Sequence, residues 1–91
     1  MRIARKLIVS GTVQGVGFRF FTQRAAARHQ VVGYVRNLPD GRVEAYVEGT
    51  ERAVDGFRGD FMTGPVYAEV VHIEEEVVDP VRTYSSFRVE K

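Results

Sequence analysis

Residues 7–21 read LIVSGTVQGVGFRFF, and this stretch decides the fold because it joins a strand to a helix through a glycine-rich turn. The apolar run at 7–9 is typical of a buried strand. From Phe18 onward, apolar side chains such as Phe18 and Phe21 recur at helical spacing, which predicts an amphipathic helix. The turn at 11–17 contains three glycines, so its backbone can reverse sharply. We therefore expect a strand, a loop and a helix in this order.

Two strands are predicted next, over 31–37 and from Val43 to Glu48, with Gly33 in the end region of the first helix. Between the strands, Leu38-Pro39-Asp40-Gly41 has the residues of a tight reversal, which predicts an antiparallel hairpin. In the second strand, three apolar residues alternate with three polar or aromatic ones. This alternation is typical of a half-buried strand. The outward positions would be Glu44, Tyr46 and Glu48.

A second helix is predicted over 51–62, with Thr50 as its N-cap and Gly64-Pro65 after its end. Strands at 70–76 and 87–89 complete the chain. The order is β-α-β-β-α-β with a short final strand. It predicts an α+β fold, a ferredoxin-like βαββαβ sandwich. We expect a mostly antiparallel sheet of four strands plus the short C-terminal strand, with two helices on one face.

The composition of the 91 residues fits a single domain spanning 1–91. The absence of cysteine excludes thiol catalysis, cysteine-based zinc sites and disulfides, and it favours a cytoplasmic protein. A net charge of +1 is too balanced for non-specific nucleic-acid binding. No apolar run is long enough for a membrane span. We expect a monomer that has no nucleic-acid or membrane partner and binds any anion at a local site.

The strongest candidate for such a site is the turn before the first helix. Exposed amides at a helix N-terminus bind anions, and Gly15 and Gly17 can adopt positive φ so that successive N–H groups point inward. Arg19 follows in the first helical turn, where its guanidinium can bind a phosphate in bidentate fashion. The alternative is that the glycines only make a tight turn and that Arg19 is a solvated surface charge.

Asn37 is the second candidate, because it stands at the end of a predicted strand. Its amide both donates and accepts, so it could hold a water in line with a bound phosphorus. The alternative is an Asx-type residue that caps the hairpin. The sequence does not establish whether Asn37 reaches Arg19.

Several familiar sites are missing from the chain. The Rossmann and Walker motifs are absent, as are the Gly-x-Ser-x-Gly and His-Glu-x-x-His signatures. For His29 near a helix end and His72 in a strand we favour structural roles. Glu74, Glu75 and Glu76 alternate faces on a strand, which favours a solvated sheet edge over a metal site.

The motifs GTVQGVGFR at 11–19, GYVRN at 33–37 and DGRVE at 40–44 resemble the acylphosphatase family over nearly the whole chain. The resemblance implies metal-independent hydrolysis of acyl phosphates to a carboxylate and inorganic phosphate, with no cofactor. It implies that Arg19 binds the phosphate and that Asn37 orients the water. The loop amides of that family correspond to Gln14, Gly15, Val16, Gly17, Phe18 and Arg19.

Three other functions stay open at this point. The same topology occurs in RNA-binding modules, although the predicted third strand offers only Tyr46 as a stacking aromatic. A non-catalytic anion-binding module would keep the loop without turnover. The third is that the chain corresponds to the acylphosphatase-like segment of the larger hydrogenase-maturation carbamoyltransferases. We expect a free-standing domain instead.

Overall fold

Seven elements follow one another along Met1–Lys91, all of which the computed structural model describes. Their order is the predicted βαββαβ with a short last strand. They are β1 (Arg2–Thr12), α1 (Phe18–His29), β2 (Val32–Asn37), β3 (Val43–Thr50), α2 (Glu51–Thr63), β4 (Glu69–Val78) and β5 (Phe87–Glu90).

The strands form one sheet in the order β4-β1-β3-β2-β5. The pairs β1–β3, β1–β4 and β2–β3 are antiparallel, and β2–β5 is parallel. The α+β fold class and the mostly antiparallel sheet are thereby confirmed. β1 and β2 are both antiparallel to β3, so they run in the same direction. Their C-terminal ends therefore lie at the same end of the sheet. Val43 of β3 is opposite Val9 of β1 and also opposite Asn37 of β2.

The hydrophobic core lies between the sheet and the two helices. Its largest members are Phe18 of α1 with Phe57 and Phe61 of α2, all at most 2% exposed. The rings of Phe18 and Phe61 meet edge to face, 5.4 Å apart. This packing covers the inward-facing valines of β1, β2 and β3. Both helices therefore cover one face of the sheet, as predicted.

Helix boundaries agree with the sequence at α2 and differ in one detail at α1. Thr50 caps α2 by accepting a hydrogen bond from the Ala53 amide at 3.2 Å. α1 ends at His29, where Gln30 turns into the left-handed conformation. Gly33 lies inside β2 rather than at the helix end, with φ of 141°, and an added Cβ there would lie 1.9 Å from the Tyr46 carbonyl oxygen. Only glycine permits this close approach of two strands.

The prediction that β3 is half-buried is wrong, because Val43–Gly49 is buried throughout. Glu44 and Glu48, expected to face solvent, are 4% and 0% exposed. The segment 81–84 lies over this face of the sheet. The amide of Val81 donates to the Tyr46 hydroxyl at 3.0 Å, and the amide of Arg82 donates to the Glu48 carboxylate at 3.2 Å. This cover comes from a segment distant in sequence, which a local pattern does not reveal.

β4 is an edge strand, and Glu74, Glu75 and Glu76 are exposed on it, as predicted. Neither α1 nor α2 has the length and apolar character that crossing a membrane requires.

Candidate active site

The loop 13–17 connects the end of β1 to the start of α1. Gly15 and Gly17 have φ of 75° and 78°, in the region that glycine adopts without steric cost. Gly17 is the N-cap of α1, and no side chain caps this helix. None of the backbone hydrogen bonds outside the helices and strands has its donor within 14–20. The first-turn amides of α1 thus remain available to an anion.

Arg19 lies half-buried in that first turn, where the helix carries no acidic residue. Its Nη1 donates to the backbone oxygen of Glu90 in β5 at 3.1 Å. This contact fixes one arm of the guanidinium and leaves the rest of the planar fork for a ligand. The side-chain charge adds to the positive end of the helix dipole, so the site favours anions.

Asn37 is the last residue of β2 and lies level with Val9 near the C-terminal end of β1. One cleft of about 400 Å³ is lined by Asn37, by Arg19 and by the loop. The sequence left this proximity open because β3 separates β1 from β2. The observed sheet order brings Asn37 and Arg19 to the same cleft.

The hairpin after Asn37 is braced by its own backbone and by Gln14 from the loop. Leu38 and Arg42 close the hairpin through a hydrogen bond of 2.8 Å. Nε2 of Gln14 donates to the carbonyl oxygens of the same two residues, at 2.9 Å and 3.0 Å. The hydrogen bond from the Arg42 amide lowers the pKa of Asp40, whose carboxylate also accepts from the Arg42 guanidinium at 2.8 Å. The loop and the hairpin are therefore held to one another.

Most predicted site residues line this cleft, namely Gln14, Gly15, Gly17, Phe18, Arg19 and Asn37. Val16 does not line it, because its side chain packs against the core. The sequence reasoning missed the side-chain bridge of Gln14 and four lining residues: Val13, Phe20, Val89 and Lys91. The outward helical position of Phe20, next to Arg19, was a usable signal. The position of Val89 depends on the parallel pairing of β5 with β2, which the sequence does not reveal.

The two histidines lie outside the cleft. His29 contacts Asp60 of α2, with 2.8 Å between Nε2 and Oδ2. Arg28 contacts the same carboxylate, and the hydrogen bond from Arg28 is the main cause of the lowered pKa of Asp60. His72 is exposed on β4. No group of three or more His, Cys, Asp or Glu side chains is placed to hold a metal ion.

A second polar cluster lies on the opposite face of the sheet, around the buried Glu48. Burial alone would raise its pKa, but hydrogen bonds from Arg2, Tyr46 and the Arg82 amide hold the pKa below its ordinary value. Burial also raises the pKa of the Tyr46 hydroxyl to about 12.

Glu44 lies on the same face and has a lowered pKa for the same reason as Glu48, because hydrogen bonds from Tyr34 and Arg36 outweigh the effect of its burial. This cluster is structural, since its charges are paired within the protein.

Comparisons with known proteins agree with the fold. A family model described as Acylphosphatase matches residues 5–89. The acylphosphatase of Archaeoglobus fulgidus is 46% identical over 87 residues, which cover 96% of this chain and 97% of that protein. The acylphosphatase structure from Bacillus subtilis has a TM-score of 0.93 and 34% identity, with 98% of this chain and 99% of that chain covered. HypF of T. kodakarensis has a TM-score of 0.85 and 36% identity, covering 99% of this chain and 12% of that protein. The chain therefore belongs to the acylphosphatase family and is an enzyme that hydrolyses acyl phosphates.

Proposed function

We propose that this chain cleaves the carboxyl–phosphate anhydride bond of acyl phosphates without a metal ion, using the loop and Arg19 to hold the phosphate and Asn37 to orient the water. The observation that carries the proposal is that the free amides at the start of α1, Arg19 and Asn37 line the same cleft.

Binding of the phosphate rests on two kinds of donor. The amides of the loop and of the first turn of α1 would donate to the phosphate oxygens, as they do at many helix N-termini. Arg19 would add a bidentate, charge-assisted contact. Its hydrogen bond to the Glu90 carbonyl, at 3.1 Å, restricts the side chain before the substrate arrives. Less rotational freedom is then lost on binding.

The reaction is an in-line displacement at phosphorus. The oxygen of water forms a bond to phosphorus while the bond from phosphorus to the acyl oxygen breaks, and the leaving carboxylate keeps the electron pair. Both water protons end on phosphate oxygens, so an acyl phosphate dianion gives RCOO⁻ and H₂PO₄⁻. The Asn37 amide would hold the water opposite the acyl oxygen.

No side chain needs to act as a general base in this scheme. A carboxylate is a good leaving group, and phosphoryl transfer depends mainly on positioning and on charge stabilisation. The donors that the cleft offers are of this kind. The cleft is lined by Arg19 and Lys91 and by no carboxylate side chain, so an anionic substrate meets no like charge from a side chain there.

The face of the sheet opposite the helices supports the enzymatic function over the RNA-binding alternative. RNA-binding modules of this topology stack bases on that face. Here Tyr46 is 7% exposed, and the face carries the buried carboxylates of Glu44 and Glu48. A non-catalytic anion-binding module is the remaining alternative, and turnover distinguishes it.

The test is hydrolysis of benzoyl phosphate in the presence of EDTA. We expect turnover by the parent and a loss of about 10²-fold or more in kcat/KM for Arg19→Ala and for Asn37→Ala, the size found for single oxyanion donors. Arg24→Ala is the matched control, because Arg24 is an exposed arginine of the same helix. Circular dichroism would verify that all variants fold. A folded parent that binds phosphate without turnover would contradict the proposal, as would near-normal activity of either site variant.

We further propose that the protein acts as a single domain, 1–91, and as a monomer in the cytoplasm, with a small acyl phosphate as substrate and inorganic phosphate as product. The lack of cysteine supports the compartment. Light scattering coupled to size exclusion tests the monomer, for which the expected mass is 10.3 kDa. A mass of twice this value would overturn it.

A further inference from the structure

Phe20 is a large apolar side chain that the fold leaves in solvent beside the anion site. It is 70% exposed, whereas Phe18, two residues earlier, is 2% exposed. Phe18 and Phe21 are three residues apart on the core-facing side of α1, and their ring centroids are 6.1 Å apart. Phe20 points away from that side. A single exposed apolar residue is ordinary on a protein surface, so its location in the cleft is what carries the inference.

The cleft has more room than a phosphate group needs. Its volume is about 400 Å³, within the range of small-molecule sites. A phosphate has five heavy atoms, so at about 30 Å³ each, the volume of a water molecule in the liquid, it would fill less than half of the cleft. The remaining space is available to the part of the substrate that is not phosphate.

The residues lining the cleft divide into polar and apolar sets. The polar set consists of Arg19, Asn37, Gln14 and Lys91, and the apolar set includes Phe20 and Val89. Val89 lies on β5, next to Glu90, whose carbonyl oxygen holds Arg19. Phe20 directly follows Arg19 on α1. The side chains that α1 and β5 place in the cleft beside Arg19 are therefore all apolar, namely Phe18, Phe20 and Val89.

We propose that Phe20 and Val89 form an acyl subsite that selects substrates with a flat, aromatic acyl group over those with a short aliphatic one. The proposal rests on the proposed function, because it concerns the substrate of the same cleft. An aromatic acyl group would stack against the exposed ring of Phe20 and bury apolar surface on Val89. An acetyl group is too small to do both.

The test compares kcat/KM for benzoyl phosphate and for acetyl phosphate in the parent, Phe20→Leu and Phe20→Ala. We expect the benzoyl-to-acetyl ratio to fall about tenfold in Phe20→Ala, the size of an aromatic contact together with the buried area that goes with it. Phe20→Leu should give an intermediate ratio, because leucine keeps apolar area without the ring. Tyr67→Ala is the matched control: this aromatic residue is 83% exposed and lies outside the cleft, and its ratio should stay at the parent value.

Inhibition by inorganic phosphate supplies a second readout. In the proposed subsite the Phe20 ring contacts the acyl group, which inorganic phosphate lacks. The inhibition constant of phosphate for Phe20→Ala should therefore stay within about twofold of the parent value. A ratio that stays at the parent value, or an equal loss for both substrates, would overturn the subsite while leaving the proposed function intact. A folded parent that hydrolyses neither substrate would overturn both.

Discussion

The side-chain Nε2 of Gln14 donates to the carbonyl oxygen of Leu38 at 2.9 Å, and this contact joins the loop before α1 to the hairpin that follows Asn37. The same nitrogen donates to the carbonyl oxygen of Arg42 at 3.0 Å. Leu38 and Arg42 close the hairpin through a backbone hydrogen bond, so Gln14 contacts both residues at the base of the turn. The bridge thereby sets the distance between the two parts of the proposed site, which are Arg19 with the loop amides on one side and Asn37 on the other.

Gln14→Ala should lower turnover more than it lowers stability. The loop and hairpin lose both hydrogen bonds of the bridge, and a shift of about 1 Å between reacting groups can cost about 10²-fold in rate. We expect kcat to fall between about tenfold and 10²-fold, with Tm lowered by only a few degrees. Gln23→Ala, at an exposed glutamine of α1, is the control. Steady-state kinetics and thermal melts measure the two effects, and a kcat equal to that of the control would rule out the positioning role.

Arg19→Lys should be nearly as inactive as Arg19→Ala, although it keeps the charge. Lysine presents a compact ammonium and cannot reproduce the planar fork that, in the proposed mechanism, binds two phosphate oxygens while another arm contacts the Glu90 carbonyl. We expect a loss of about 10²-fold in kcat/KM for acyl phosphate hydrolysis and weaker inhibition by inorganic phosphate. The exposed Arg24→Lys provides the matched control. Activity of Arg19→Lys within a few-fold of the parent would show that charge alone suffices.

Local patterns of sequence were enough for the order of the elements and for the loop, because hydrophobic periodicity and glycine placement act over a few residues. They predicted the N-cap at Thr50 and the candidates Arg19 and Asn37. They failed where distant segments meet. Glu48 is buried because residues 81–84 cover it, and Phe20 shares a cleft with Val89 because β5 pairs with β2. Such contacts depend on tertiary packing, which an alternating strand pattern does not encode.

Two glycines of α2 should respond in opposite ways to alanine. Around Gly59 an added Cβ meets nothing within 4 Å, so Gly59→Ala should stabilise the protein by about 0.5–1 kcal/mol through its helix propensity. At Gly56 the added Cβ would lie 2.5 Å from Nδ1 of His29, and Gly56→Ala should destabilise because the ring must move and strain its contact with Asp60.

Urea unfolding of the two variants beside the parent measures this contrast. One kcal/mol corresponds to about 4–8 °C in Tm for a domain of this size, so thermal melts provide a second readout. An increase in stability of Gly56→Ala would contradict the packing of His29 against α2.

Glu48→Gln should remove part of the dependence of stability on acid. The folded pKa of Glu48 is lowered, so its carboxylate stabilises the native state above its ordinary pKa, and this contribution is lost as the pH falls through the folded value. The variant should be about 2 kcal/mol less stable at pH 7, because the buried Tyr46 hydroxyl, Arg2 and the Arg82 amide lose a charged acceptor.

As the pH falls below the ordinary pKa of glutamate, the difference in stability between the two proteins should narrow, because the unfolded parent then takes up a proton at Glu48 more readily than the folded parent does. Urea unfolding between pH 3 and 7 measures the gap, with Glu76→Gln on the exposed edge strand as the control. Glu44, Asp40 and Asp60 also have lowered pKa values, so the slope of stability against pH in Glu48→Gln should be reduced and not abolished. A gap of constant size across this range would mean that Glu48 stabilises the fold by its shape and hydrogen bonds, without a contribution from its charge.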